Sequence, residues 1–151
     1  MHARLVLIAL AVFAFSAQAQ TPAGAWDVDP KTGCKVWSQY PDPAGESITW
    51  SGGCANGLAQ GQGVLQWFVA GKPYARYEGG YRGGKMDGQG ILRWVDGTRF
   101  DGAWQDDKPN GAGTKTTPSG QVYSGNWTNG CFKQGNRMAV ANALFKECGF
   151  P

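Results

Sequence analysis

Aromatic and glycine residues recur at a fixed interval through the middle of the chain. Aligning the sequence on Tyr77, Phe100 and Tyr123 gives the same spacing of 23 residues twice. A second aromatic residue follows each of these positions four residues later, as Tyr81, Trp104 and Trp127. Glycines also keep their places in each copy: Gly79, Gly102 and Gly125, then Gly88 and Gly111, Gly90 and Gly113, and Gly97 and Gly120. Internal repetition therefore organises the fold.

Each copy of the repeat has the pattern of a β-hairpin. Residues 77–81 alternate, so Tyr77 and Tyr81 share one face of a strand, and Gly79 between them leaves space for an aromatic ring from a neighbouring strand. Residues 83–88 predict a turn, residues 90–95 a return strand, and Asp96-Gly97 a two-residue turn into the next copy. No helical periodicity interrupts this region, so the sequence predicts an all-β fold.

The repeat resembles the MORN-repeat family, whose units read approximately Y-x-G-x-W followed by G-x-G. Residues 77–81 with 88–90, and 100–104 with 111–113, carry the resemblance, while copies beginning at Trp50 and Tyr123 are weaker. The resemblance covers residues 48–131, about three and a half copies. It implies an elongated, single-layer antiparallel β-meander of hairpin repeats with roles in protein association and, in some members, membrane contact. No enzyme activity belongs to the repeat itself.

The chain begins with the pattern of a secretory signal peptide. Arg4 precedes an uncharged apolar run over residues 5–15, and Ala17-Gln18-Ala19 supplies the small residues of a cleavage site before Gln20. The run is shorter than the approximately 20 residues of a membrane-spanning helix. No cysteine lies at the end of this run, which argues against a lipid-anchor motif. Residues 1–19 are therefore predicted to direct a small bacterial protein to the periplasm or the exterior.

The chain has four cysteines, two towards each end: Cys34 and Cys54, and Cys131 and Cys148. An even number in an exported protein indicates disulfides, with three connectivities open. Their positions favour local pairing of Cys34 with Cys54 and Cys131 with Cys148. A zinc site would need a CxxC pair, which the sequence lacks.

The segments outside the repeat are expected to cap the sheet. Residues 20–47 contain several prolines and predict an irregular N-terminal cap, in which Val36 and Trp37 form a short edge strand. Residues 132–151 predict a C-terminal cap. Residues 137–146 favour a short helix over the last sheet edge, and a final strand at residues 138–140 is the alternative.

Candidate catalytic groups are few. The single histidine, His2, lies in the predicted signal peptide, so the exported chain lacks an imidazole for catalysis or metal binding. The remaining hypothesis is a carboxylate-only hydrolase using Asp101 with Asp106, or Asp87 with Glu78. These residues also fit turns and a solvated strand face, which favours a protein that is not an enzyme and needs no cofactor.

The aromatic and arginine positions are the candidate binding residues. A single-layer sheet has little interior, so some of its aromatic side chains are expected to remain accessible to a partner. The candidates are Trp67, Phe68, Arg76, Tyr81, Arg82, Arg93, Trp94, Arg99, Trp104 and Trp127. They indicate an envelope protein as partner, with anionic lipid or peptidoglycan as alternatives. Open sheet edges would also permit a homodimer. The formal charge of +3 does not indicate nucleic acid.

Overall fold

The computed structural model describes residues 24–40 and 45–150, and the predicted signal peptide lies outside them. The described part of the chain is all-β, and its one helical element is a short 3-10 turn at Phe145–Cys148. The strands are β1 (Ala25–Val28), β2 (Lys35–Ser38), β3 (Glu46–Trp50), β4 (Gly53–Ala55), β5 (Leu58–Val69), β6 (Lys72–Arg82), β7 (Lys85–Trp94), β8 (Arg99–Gln105), β9 (Lys108–Thr116), β10 (Val122–Trp127), β11 (Cys131–Gln134) and β12 (Arg137–Val140).

Strands β5 to β10 form the predicted antiparallel meander, in which each strand pairs with the next. Strands β3 and β4 both pair with the long β5. Strand β2 also joins β5, but in parallel, so the sheet is mixed rather than wholly antiparallel. The turns differ from the prediction: Gly83-Gly84 alone connects β6 to β7, whereas four residues, 95–98, connect β7 to β8.

A row of glycines crosses the meander at the same register position of every strand. Its members are Gly63, Gly79, Gly90, Gly102, Gly113 and Gly125. Aromatic rings lie directly over this row. A Cβ added at Gly90 would come within 2.1 Å of the Tyr77 hydroxyl, and one at Gly113 within 2.4 Å of the Phe100 ring. The predicted role of glycine as space for a ring from a neighbouring strand is therefore confirmed at Gly90 and Gly113. At Gly79, for which it was predicted, the nearest side-chain atom is the Tyr77 hydroxyl of the same strand.

The rings over the glycine row form a continuous series, which we call the aromatic ladder. Its members are Trp50, Tyr81, Tyr77, Trp104, Phe100, Trp127 and Phe132. Successive ring centroids are 4.8 to 5.6 Å apart, and most pairs meet edge to face. Every member is buried. The ladder is thus the core of the protein, and each pair adds about 0.5 to 1.5 kcal/mol beyond the burial of its area.

Both flanking segments differ from the prediction. The N-terminal segment contains regular strands, and the C-terminal segment contains a β-hairpin in place of a helix. Residues 24–40 contain two paired strands, β1 and β2, so this part of the N-terminal cap is not irregular. The helix predicted over residues 137–146 is wrong, because residues 137–140 pair with β11 in a hairpin that supplies their backbone hydrogen bonds. The alternative of a final strand is correct.

The disulfides Cys34–Cys54 and Cys131–Cys148 confirm the local pairing. The first joins the start of β2 to β4. The second joins β11 to the 3-10 turn, and residues 141–144 lie between the hairpin and that turn. Each bridge therefore fixes one flanking segment to the sheet structure beside it.

Loss of the second disulfide is expected to lower the free energy of unfolding by about 3 kcal/mol, because the bridge restricts the unfolded chain over a loop of this size. Its cysteines are 17 residues apart. The test is urea denaturation of a Cys131→Ser, Cys148→Ser double variant. The control, Lys133→Ser, alters an exposed residue of the same hairpin and should change the stability by less than about 0.5 kcal/mol. Equal midpoints for both proteins would contradict the expectation.

Candidate functional site

Three arginines lie side by side on the face of the sheet opposite the aromatic ladder. Register pairs Arg76 with Arg93 and Arg93 with Arg99 across β6, β7 and β8. Their side chains are 46%, 43% and 39% exposed. We call these three residues the arginine row.

Acidic residues of the neighbouring register row balance part of this charge. Glu78 Oε1 lies 3.0 Å from Arg76 Nε and 3.5 Å from Arg93 Nη1. Asp101 Oδ2 lies 2.6 Å from Arg99 Nη2. Ion pairs between exposed groups contribute little to stability. Because two carboxylates form ion pairs with three guanidinium groups, the arginine row keeps an excess positive charge.

The other residues predicted to bind a partner or to catalyse a reaction on this face and in its turns do not form a site with the arginine row. Arg82 pairs with Asp87 at 2.6 Å, outside the arginine row. Phe68 is half-buried beside a bulge in β5. Glu78, Asp87 and Asp101, proposed as catalytic carboxylates, each bind an arginine instead, and Asp106 lies in the turn between β8 and β9.

Three aromatic candidates for binding belong to the core. Tyr81, Trp104 and Trp127 are no more than 3% exposed. The indole N–H of Trp104 donates to the carbonyl of Gly90, and that of Trp127 donates to the carbonyl of Gly113, both at 3.1 Å. Their assignment to an accessible surface is therefore wrong, because neighbouring rings and the flanking segments cover them.

The flanking segments enclose a cavity of about 280 Å³ against the aromatic face of the sheet. We call it the end-segment cavity. Its walls come from the N-terminal segment, the sheet, the β8–β9 turn and the C-terminal segment, and comprise Trp37, Ser38, Gln39, Tyr40, Glu46, Trp67, Tyr74, Ala75, Met86, Leu92, Trp94, Asp107, Asn142, Ala143 and Leu144. Two of the predicted binding residues, Trp67 and Trp94, therefore line a cavity rather than an open surface.

Contacts between the two ends of the chain hold this cavity together. The Tyr40 hydroxyl donates to Glu147 at 2.9 Å, and the Lys108 ammonium reaches the same carboxylate at 3.3 Å. Burial, together with the Glu147 carboxylate, raises the pKa of Tyr40 to about 12, so its hydroxyl stays protonated as a donor. The Asn142 amide donates to the backbone carbonyl of Asp107 at 2.5 Å. Both ends are thus anchored on the repeat sheet or on each other.

Asp107 is the most unusual residue of the cavity. It is 2% exposed, its Oδ1 accepts the backbone N–H of Met86 at 2.8 Å, and its Oδ2 has no hydrogen-bond partner. Burial raises its pKa to about 7, against the opposing effects of the Met86 N–H and Lys85. Asp29 is equally buried, but N–H groups of Trp50 and Lys31 occupy its two oxygens. A buried carboxyl group with one oxygen that accepts no hydrogen bond destabilises the folded protein.

The geometry of aligned glycines, stacked rings and repeated hairpins has a counterpart among known families. The MORN repeat model matches three segments of this chain. They are residues 49–68, 77–99 and 100–122. No curated protein matches the chain. MORN repeats are generally interaction modules without catalytic activity, and some contact membranes, so a role in binding a protein or a lipid is the function that the match supports.

Within the repeats of this chain, Asp107 occupies a position that is otherwise glycine. The equivalent residues, 23 apart in the regular copies, are Gly57, Gly84, Asp107 and Gly130, and all four have positive φ, at 76°, 77°, 67° and 81°. Positive φ is unfavourable for residues other than glycine, although aspartate and asparagine tolerate it best. Asp107 was not among the residues predicted to be functional, although its departure from the repeat is visible in the sequence.

A second carboxyl group, that of Glu46, lines the end-segment cavity, and the carboxyl group of Asp27 lies beside it. Glu46 lines the cavity and accepts a hydrogen bond from the Ser38 hydroxyl at 2.9 Å. Burial and the neighbouring Glu46 raise the pKa of Asp27 to about 6. The charged side chains among the described lining residues, Glu46 and Asp107, are both acidic. The cavity therefore disfavours an anion.

The described residues match neither the pattern of a metal site nor that of a membrane-spanning helix. Residues 24–40 and 45–150 contain no group of three or more acidic, histidine or cysteine side chains placed to hold a metal ion. The same part of the chain has no helix that is long and apolar enough to cross a bilayer. The two disulfides indicate an oxidising environment.

Proposed function

We propose that this protein is a non-enzymatic binding module of the bacterial cell envelope that holds a protein partner against the arginine row. The observation that carries the proposal is the alignment of Arg76, Arg93 and Arg99 on one exposed sheet face, where only two carboxylates balance them. Arginine is enriched at protein interfaces because its planar group makes several hydrogen bonds to carboxylates and carbonyls. An acidic surface on the partner would complement this row.

Two features support the proposed location. Residues 5–19 have the apolar run and small residues of a signal peptide, and the two disulfides are typical of an oxidising compartment. The general role of MORN repeats as interaction modules supports binding rather than catalysis. A protein of this class would act in the periplasm or outside the cell as a scaffold.

The partner is expected to contact the residues around the arginine row. A photo-crosslinking amino acid at Thr114, which is in the register row of Asp101, should give one discrete adduct in intact envelopes. The same group at Lys133, on the separate β11–β12 hairpin, is the control and should not give that adduct. Mass spectrometry of the adduct then identifies the partner.

Reversal of one charge in the row should abolish the adduct. Arg93 lies between the other two arginines, and Arg93→Glu is expected to reduce the crosslinked product at least tenfold, since like charges then face the acidic partner. Lys133→Glu makes the same change in charge elsewhere and should leave the yield unchanged. Equal loss in both variants, or no loss in either, would contradict the proposal.

Anionic phospholipid is a second candidate, which a separate observation favours. Tyr74 and Val95 are 44% and 68% exposed beside the arginine row, and the Val95 N–H donates to the Tyr74 carbonyl. Apolar side chains next to cations are suited to a membrane surface. Sedimentation with phosphatidylglycerol vesicles, compared with neutral phosphatidylcholine vesicles and with isolated peptidoglycan, tests this candidate. Binding that Arg93→Glu abolishes would favour lipid over a protein partner.

A further inference from the structure

We propose that the free edge of β10 is a docking site for an extended acidic segment of a partner protein, which pairs with this edge as an additional strand of the sheet. Strand β10 is the last strand of the meander and pairs on one side only, with β9. Because β9 separates this edge from the arginine row, the site is independent of the function proposed for that row. The inference rests on the backbone groups of β10, their exposure and the charge of the chain around them.

The side of β10 that faces away from β9 carries outward-pointing backbone groups. In an antiparallel pair, every second residue bonds to the partner strand. The Thr117 N–H donates to the Gln121 carbonyl at 2.9 Å across the turn that joins the two strands, so the odd-numbered residues of β10 bond to β9. The even-numbered residues therefore direct their N–H and C=O groups outward. They are Val122, Ser124 and Asn126.

Two contacts agree with this orientation and mark the limits of the open part of the edge. At one end, the Arg137 guanidinium donates to the outward carbonyl of Val122. At the other end, the Thr128 N–H donates to the Cys131 carbonyl at 2.9 Å. Between these contacts, the outward backbone groups of β10 have no hydrogen-bond partner within the part of the chain that the structure describes. An incoming strand could therefore bond to them.

The open part of the edge is accessible and unprotected. Residues 124–126 are all exposed, and Val122 is 46% exposed. Exposed edge strands usually carry a charge, a proline or a bulge that prevents pairing with another chain. Strand β10 has the sequence VYSGNW, without a charge or a proline, and its register with β9 has no shift. The edge thus lacks the features that would keep a further strand away.

The chain around this edge is basic. Residues 108–146 contain no acidic residue and five basic ones. The basic residues are Lys108, Lys115, Lys133, Arg137 and Lys146. Arg137 lies at the edge itself, where its guanidinium is 5.2 Å from the centroid of the Tyr123 ring. No ion pair among the described residues includes Arg137. An acidic strand would supply the missing negative charge.

The same charge decides between possible occupants. Pairing of two β10 strands would bring the basic segments of two copies together, and like charges across an interface weaken association. An anionic membrane would complement the charge, but it would leave the outward C=O groups of β10 without backbone donors. An extended acidic peptide offers N–H and C=O groups in the spacing of a strand and also the negative charge. We therefore take a segment of a partner protein as the occupant.

The test is two-dimensional NMR spectroscopy of the full exported chain during titration with a synthetic seven-residue peptide. The peptide alternates valine and threonine between two terminal glutamates, and its ends are acetylated and amidated. We expect saturable binding that shifts the amide signals of Ser124 and Asn126. At saturation, hydrogen exchange of these two amides should slow at least tenfold, because each donates to the added strand. The amide signal of Arg93, in the arginine row, should not move.

Two changes remove hydrogen bonds while keeping the charge. N-methylation of every valine and threonine of the peptide should weaken binding at least tenfold. Ser124→Pro removes an outward N–H of β10 and should do the same, since proline is tolerated on an edge strand where the N–H faces solvent. Ser124→Ala keeps the N–H and is the matched control, with an expected change below threefold. Because the methylated peptide needs no variant, the test also holds if Ser124→Pro does not fold.

A further pair of titrations measures the contribution of charge. A peptide with lysine in place of both glutamates should bind at least fivefold more weakly than the acidic peptide. Arg137→Gln should reduce this preference, because it removes the cation that lies at the edge. Arg82→Gln is the matched control, since Arg82 is an exposed arginine that pairs with Asp87 away from β10, and the preference should persist in this variant.

Five results would overturn the proposal. They are no binding of the acidic peptide, equal binding of its N-methylated form, equal binding of the lysine peptide, shifts of Ser124 and Asn126 with protein concentration alone, and shifts of these signals with phosphatidylglycerol vesicles but not with peptide. The fourth would identify a second copy as the occupant, and the fifth a lipid surface. Since Arg93→Glu leaves β10 unchanged, this variant should bind the acidic peptide normally. Failure of this proposal is thereby distinguishable from failure of the one for the arginine row.

Discussion

Replacement of Phe100 by alanine is expected to lower the free energy of unfolding by about 3 to 5 kcal/mol, the cost of truncating a large buried aromatic side chain. Phe100 is fully buried at the centre of the aromatic ladder, with Trp104 and Trp127 at centroid distances of 5.0 and 5.1 Å. Truncation removes both edge-to-face contacts and leaves a cavity over Gly113. Chemical denaturation monitored by tryptophan fluorescence measures the loss.

The glycine below the ring offers a sharper test of the same contact. A Cβ at Gly113 would overlap the Phe100 ring, so Gly113→Ala alone should destabilise by about 1 to 3 kcal/mol. In the Phe100→Ala background, the same methyl group enters vacated space. The double variant should therefore be more stable than additivity predicts by at least about 1 kcal/mol. Ile91→Ala, on the opposite face, is the control, and strict additivity in the double variant would contradict the packing described here.

Replacement of Asp107 by asparagine is expected to stabilise the protein above pH 4, and increasingly so up to about pH 7. The unfolded chain releases the Asp107 proton near pH 3.8, whereas the native protein holds it until about pH 7. Wild-type stability therefore falls as the pH rises between these values and levels off above them. At about 1.4 kcal/mol per pKa unit, the difference approaches 4 kcal/mol above pH 7 as an upper value.

The measurement is urea denaturation of both proteins at pH 3.5, 5, 6, 7 and 8. Asparagine and protonated aspartate differ little, so the two proteins should have nearly equal stability at pH 3.5 and diverge above it. Asp106→Asn is the matched control, because it changes an exposed carboxylate of the same turn and should not reproduce the divergence. A wild-type protein that is more stable than Asp107→Asn at pH 8 would contradict the account of an uncompensated buried charge.

The fold was largely predictable because its repeat is regular. Alternation placed Tyr77 and Tyr81 on one face, and the spacing of the glycines implied that rings lie over them. Both inferences depend on local geometry, which a period of two residues and a constant repeat length determine. The pairing of the cysteines was also accessible, because each pair is close in sequence.

The accessibility of the aromatic face was not predictable in the same way. Periodicity shows that Trp104 and Trp127 share a face, but what covers that face depends on the neighbouring rings and on two flanking segments without repeats. Residues 137–140 illustrate the difficulty. Their sequence is compatible with a helix or a strand, and only pairing with β11 decides between them.

The end-segment cavity was missed because its walls come from four distant parts of the chain. Trp37, Trp94, Asp107 and Asn142 meet only after the sheet has formed. One signal was nonetheless present in the alignment, because Asp107 stands in a column of glycines. This departure from the repeat marks Asp107 as unusual in the sequence itself, and the structure adds that the position has a positive φ.

The contact between Tyr40 and Glu147 also bears on the order in which the parts of the protein fold. These residues are 107 positions apart in sequence, whereas each hairpin of the meander pairs with its immediate neighbours. Contacts between distant residues form slowly, because the intervening chain must first be brought together. The meander can thus assemble from adjacent hairpins as they emerge during synthesis, and the cavity closes only when the C-terminal segment reaches the N-terminal one. The completed cavity would therefore mark a chain whose two ends have both folded.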